Sequence, residues 1–132
     1  MRWGLHPEIA LRLVVISYML EAAGIPAPTI ISGYRSAEKQ KCLLQNWTAG
    51  RIVNQDCSMP TVKPACRSTH TGQFMGAPSA TGVDLKMSRT TQFYFKPLWL
   101  LFNGARWGGD FAIPDPNHYD APIIGVSLQK IC

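Results

Sequence analysis

Two histidines and one aspartate, His70, Asp84 and His118, are the side chains of this sequence best suited to holding a divalent metal ion. Two neutral imidazoles and one carboxylate leave such an ion with residual positive charge and one coordination position open to water. That charge draws the pKa of the water towards about 7, so hydroxide becomes available near neutral pH to attack an amide carbonyl. A general base must then stand within hydrogen-bond reach. The third histidine, His6, sits beside Pro7 and reads as a helix-start residue instead.

The elements that must position these groups are legible in outline. Leu5, Ile9, Leu13, Ile16 and Leu20 recur at steps of three or four, with Pro7 where a first turn tolerates it and Gly24 and Pro26 to stop the helix. Glu8 and Arg12 spoil any match to an export signal, so a structural helix is expected, with neither a signal peptide nor a membrane span. Thr29-Ile30-Ile31-Ser32 is a short β-branched run ending at Gly33, and Ser36 can cap a helix reaching about Leu44. From Asn46 to Arg67 the chain is rich in Pro, Ser, Thr and Asn and is expected to be a long surface loop.

Thr81 to Met87 alternates, placing Val83, Leu85 and Met87 on one face and Asp84 on the other. Thr90 to Asn103 is expected to form a helix interrupted at Pro97 and ended by Gly104. Ile123 to Leu128 is expected to form a last strand. Strands and a few helices without regular alternation predict an α+β fold, a small single domain over residues 1–132 with a mainly antiparallel sheet flanked by helices.

Length and composition agree, since 132 residues suit one modest core, and 46% hydrophobic with 16% charged residues is globular rather than disordered. The net charge of +5 is spread singly from Arg2 to Lys130, which suits mild attraction to a polyanion or simple solubility. No basic stripe interleaved with aromatics is present, so no nucleic-acid partner is expected, and a monomer is the default.

Cys42, Cys57, Cys66 and Cys132 lack the Cys-x-x-Cys spacing of zinc clusters and redox motifs, which leaves disulfides or buried thiols. A bridge from Cys57 to Cys66 would staple a short proline-containing loop and leave Cys42 with Cys132. Spacing alone does not choose among the three pairings.

Five strings then stand in the order of a known group: Ser32-Gly33-Tyr34-Arg35-Ser36, Ser68-x-His70, Gly82-Val83-Asp84-Leu85, Trp107-Gly108-Gly109-Asp110 and Asp115-x-x-His118. From about Ile30 to Tyr119 the chain resembles the zinc D-alanyl-D-alanine carboxypeptidases and L-alanyl-D-glutamate endopeptidases, whose fold is related to hedgehog's signalling domain. Bacteriophage endolysin catalytic domains look most similar. The resemblance implies zinc on His70, Asp84 and His118, Asp115 as the proton shuttle, and Arg35 on a substrate carboxylate or the developing oxyanion. Asp120 and Asp110 compete with Asp115 for its role. Ser68, Gln40, Tyr34 and Trp107 resemble supporting or substrate-binding positions.

The partner implied is peptidoglycan, reached by a protein made in a host cytoplasm and acting on the cell wall. A carboxypeptidase, or a wall-binding or virion protein that keeps the fold without catalysis, is the alternative. One departure is conspicuous: the group's usual seven-residue step from first histidine to aspartate is fourteen here, as though Gln73 to Ser79 were inserted. Ala80 and Gly82 also exchange the order of small residues usual in the group. The insert is expected to loop out beside the site and to shape substrate access.

Overall fold

A computed structural model describes residues 3–132. Helix α1 spans Pro7–Ala22, with His6 at its N-cap accepting a hydrogen bond from the Glu8 amide on Nδ1. Ile9, Leu13, Ile16 and Leu20 are its buried residues, the stripe anticipated from their spacing. Strand β1 (Thr29–Ser32) leads to helix α2 (Ala37–Ala49), capped by the Ser36 hydroxyl and closed by Gly50 in the left-handed conformation. After a long irregular segment come a 3-10 turn at Thr69–Thr71 and the strands β2 (Gln73–Phe74), β3 (Ala77–Pro78) and β4 (Gly82–Lys86). Helix α3 (Arg89–Trp99), strand β5 (Arg106–Trp107), a second 3-10 turn at Gly108–Asp110 and strand β6 (His118–Asp120) complete the order.

Four strands form one antiparallel sheet in the order β1-β4-β6-β5, and β2 pairs with β3 separately. The α+β expectation is met, with an antiparallel sheet and three helices. One face of the sheet packs on α1 and α3, where Val83, Leu85 and Tyr119 meet Phe95, Trp99 and the buried stripe of α1. The rings of Phe95 and Tyr119 meet edge to face at 5.1 Å, and Trp99 Nε1 donates to the Asp120 carbonyl at 3.1 Å, tying the core to β6. Side chains alternate across a strand, so burying Val83, Leu85 and Tyr119 turns Asp84, His118 and Asp120 to the opposite face.

Several expectations are corrected. Helix α2 runs on through Ala49, so Asn46 to Ala49 are helical rather than loop. Asn46 is fully buried, its amide donating to the Asn54, Cys57 and Ser58 carbonyls and accepting from the Val53 and Asn54 amides. These bonds reward extending the helix. Helix α3 ends at Trp99 rather than Asn103.

Ile123 to Leu128 form no strand, and only an isolated bridge from Ser127 to Gln73 is made there. Gly125 turns the backbone at φ +87 and Ile124 is 99% exposed, so this apolar run has no sheet face to bury. The cysteines form two disulfides, Cys42–Cys57 and Cys66–Cys132, which replaces both the Cys57–Cys66 pairing and the buried-thiol alternative. Helix α2 presents Cys42 to the segment it packs against, and the C-terminal tail returns beside Cys66, where the Ile131 amide donates to the Cys66 carbonyl at 2.8 Å.

Candidate metal centre

The register of the sheet brings the opening trio together. Asp84 on β4 stands opposite His118 on β6. His70 arrives from the 3-10 turn, whose N-cap Ser68 accepts a hydrogen bond from the His70 amide at 3.1 Å. Nothing larger than glycine fits at position 82, because a Cβ there would strike the Thr69 side chain and the His118 ring. The insert forms a hairpin turning at Met75 and Gly76, both at positive φ, and its base is closed by the Ser79 amide donating to the Gly72 carbonyl at 2.8 Å. It therefore loops out while the chain returns to Asp84.

The three facing atoms are His70 Nε2, Asp84 Oδ1 and His118 Nδ1. The histidine nitrogens lie 3.2 Å apart, and each is 3.3 Å from the carboxylate oxygen. A tetrahedral ion with bonds of ~2.0–2.1 Å needs ligand atoms ~3.3 Å apart, so donor types and spacing both fit a metal ion. Among the described residues this trio is the group of potential ligands that could hold one.

Neighbouring groups fix which nitrogen of each ring is available. His70 Nδ1 lies 2.7 Å from the Gly33 carbonyl, which can only accept, so Nδ1 carries the proton and Nε2 keeps its lone pair for the site. His118 Nε2 lies 2.7 Å from Asp120 Oδ2, which frees Nδ1 in the same way. Asp120 is itself clamped: Arg106 Nε and Nη2 donate to its two oxygens at 2.8 and 2.7 Å, and the Thr69 hydroxyl donates at 3.2 Å. Arg106 and Thr69 carried no signal in the sequence. Asp120 and Arg106 are register partners across β6 and β5, a relation that only the folded sheet reveals.

Replacing Asp120 with alanine is therefore expected to weaken metal affinity by about 10- to 100-fold, measured by competition with a chromogenic chelator. Unchanged affinity would show that Asp120 does not orient His118.

Charge follows the same geometry. Burial alone would raise the Asp84 carboxyl, but without the metal, when protons can occupy the facing ring nitrogens, hydrogen bonds from His118 and His70 and their charge hold it well below the ordinary carboxylate range. Burial opposes the charged His118 ring, yet Asp120 and Asp84 lift its pKa from 6.5 to about 9. In the metal-free protein the His118 contribution to stability is thus full below pH 6.5 and lost as pH rises through about 9. The depressed Asp84 contributes above its ordinary 3.8 and its share is lost in acid. Thermal melts in chelator should peak between about pH 4 and 6.5, and added metal should stabilise more as pH rises, because it displaces a proton. A metal effect that fades between pH 6 and 8 would contradict this coupling.

The trio opens onto a groove of about 740 Å³. One wall is the segment from Ser58 to Ser68, the other runs from Phe111 to Asn117, and Arg35, Gln40 and Asp115 line it as well. Arg35 Nη1 donates to Gln40 Oε1 at 2.7 Å, and its Nη2 lies 4.0 Å from Asp84 Oδ2. Gln40, almost fully buried, also donates to the Ala65 carbonyl, linking Arg35 to the wall. Asp115 is half-buried; burial and the nearby Asp84 charge raise its pKa above 3.8, partly offset by His118, His70 and Arg35.

Its loop is held by the Asp115 amide donating to the Gly108 carbonyl at 2.8 Å and the His118 amide donating to the Asp115 carbonyl at 3.0 Å. A side chain at Gly108 would collide with that Asp115 carbonyl and with His118 Cβ, which accounts for the glycine after Trp107.

Not every anticipated residue reaches the groove. Tyr34 faces the hairpin instead, its hydroxyl accepting from Gln73 Nε2 at 3.2 Å. Trp107 braces the opposite wall from outside, donating to the Pro116 carbonyl at 2.8 Å with Lys96 over its ring. Asp110 is exposed and away from the groove lining. The hairpin does not line the groove either, so the expectation that it shapes access is replaced by the Ser58–Ser68 wall.

No family model matches the sequence, and no curated protein does. Among solved structures the fold is similar to that of ChiX, an L-Ala D-Glu endopeptidase of Serratia marcescens, with a TM-score of 0.52 over 90% of this chain and 81% of that one. At 15% identity the likeness is one of fold.

Proposed function

We propose that this protein is a zinc-dependent peptidase of bacterial peptidoglycan, cutting the stem between L-alanine and D-glutamate as a phage endolysin would. The observation that carries the reading is the trio of metal-compatible atoms at 3.2–3.3 Å, opening on a groove that also holds Asp115 and Arg35. A fold similar to an L-Ala D-Glu endopeptidase supports the choice of bond. Two imidazoles and a carboxylate at tetrahedral spacing suit zinc.

Zinc held by His70, Asp84 and His118 would supply Lewis acidity and an activated water at the groove floor. The chain's own groups do the rest. Asp115 takes the proton of the attacking water and delivers it to the leaving amine. Arg35, steadied by Gln40, presents a cationic fork to the carbonyl oxygen as negative charge develops there. Asp120, Arg106 and Thr69 hold the His118 ring in its working tautomer.

Two disulfides support an oxidising working compartment such as the cell envelope. No helix among the described residues is long and apolar enough to cross a membrane.

Incubation with purified peptidoglycan should release new amino groups, with release abolished by chelator and restored by zinc. Binding to the wall without release, in the presence of zinc, would favour the non-catalytic reading.

A further inference from the structure

The charged side chains that line the groove differ in whether they are paired. Its carboxylates, Asp84, Asp115 and Asp120, belong to the metal end. Two of its cations are engaged there, Arg106 on Asp120 and Arg35 between Gln40 and Asp84. The other three, Lys39, Lys63 and Arg67, are exposed, and among the described residues none has a carboxylate within 4.0 Å. From Cys57 to Val83 the sequence contains neither Asp nor Glu, so the segment supplying this wall cannot neutralise itself.

The wall is also held in place far more firmly than an ordinary surface loop. The segment from Ser58 to Ala65 has no helix or strand, yet a disulfide stands at each end, Cys42–Cys57 and Cys66–Cys132. Buried Asn46 holds the Ser58 carbonyl and buried Gln40 holds that of Ala65. Lys39 stands on the same helix as Gln40 and Cys42. Fixing the backbone that carries these cations before the ligand arrives lowers part of the ordering cost of binding.

We propose that Lys39, Lys63 and Arg67 form a subsite for a substrate carboxylate that takes no part in the bond being cut. The inference rests on the peptidase reading, under which the D-glutamyl residue keeps one carboxyl group outside the peptide linkage. That free carboxylate is the ligand, and its amide is the group the subsite discriminates against.

The test compares two synthetic stem peptides, identical except that this carboxyl is free or amidated. For the zinc-loaded wild type, kcat/KM should favour the free acid by roughly five- to tenfold at low salt, the sum expected of a few exposed charge contacts. In the combined Lys39→Gln, Lys63→Gln, Arg67→Gln variant that preference should fall towards one. A wild-type ratio near one, or a ratio retained in the variant, overturns the subsite. If the wild type cleaves neither peptide, the peptidase reading fails, and calorimetry with zinc-loaded protein judges the subsite separately. Tighter binding of the free acid that is lost in the variant supports it, and equal affinities overturn it.

Discussion

Replacing Asp115 with asparagine is expected to lower kcat by about 10²- to 10⁴-fold while leaving the metal bound, because the substitution removes a proton carrier and little else. Three acids near the site compete for that role, and their surroundings separate them. Asp120 accepts from Arg106, His118 and Thr69, so its oxygens are committed to orientation. Asp110 is exposed and away from the groove. Asp115 lines the groove, and among the described residues its carboxylate accepts no hydrogen bond. Burial and the Asp84 charge raise its pKa, the direction a group needs if it is to return a proton to a leaving amine.

The measurement is a paired one, kcat on a stem peptide and metal content by elemental analysis. A loss below about fivefold would remove Asp115 from the chemistry. Loss of the metal as well would show that it supports the ligands instead.

Removing the Cys66–Cys132 bridge by paired serine substitution is expected to cost about 4 kcal/mol, since in the chain-entropy account a crosslink spanning 66 residues strongly restricts the unfolded chain. That is a large fraction of the roughly 5–15 kcal/mol that holds a typical domain folded. The bridge also fastens the C-terminal tail against the 3-10 turn that carries His70, where the Gln129 amide donates to Thr71 Oγ1 at 3.0 Å. Thermal or denaturant unfolding of the variant, with reduced wild type as control, gives the number. A cost under about 1 kcal/mol would mean that the tail's hydrogen bonds hold it unaided. The shorter Cys42–Cys57 bridge, spanning 15 residues, should cost about 3 kcal/mol by the same argument.

What was legible in the sequence depended on how local its cause was. The α1 stripe and the face of β4 follow from periodicity, which is a local signal. The insert could be recognised from the stretched interval between His70 and Asp84, but its hairpin could not, because two-residue strands are too short to alternate. Its turn also uses Met75 where Asn or Asp would have announced it.

Cysteine pairing and the Arg106–Asp120 clamp depend on which segments the fold brings together, and nothing within a few residues of either encodes that. The last strand failed for the opposite reason. Ile123 to Leu128 has strand composition, but Gly125 bends it and Ile124 points to solvent. The ligand trio lay between these extremes, each residue in a recognisable string while their 3.2–3.3 Å spacing comes from the β4–β6 register and the capped turn at His70.

Mass spectrometry of peptidoglycan digested by the zinc-loaded protein identifies the bond that is cut. Stem peptides that begin at D-glutamate are expected, with L-alanine left on the glycan, and none of either when the metal is chelated. Stems shortened only by their terminal D-alanine, or stems left intact by zinc-loaded protein, would contradict the proposed L-alanyl-D-glutamate cleavage.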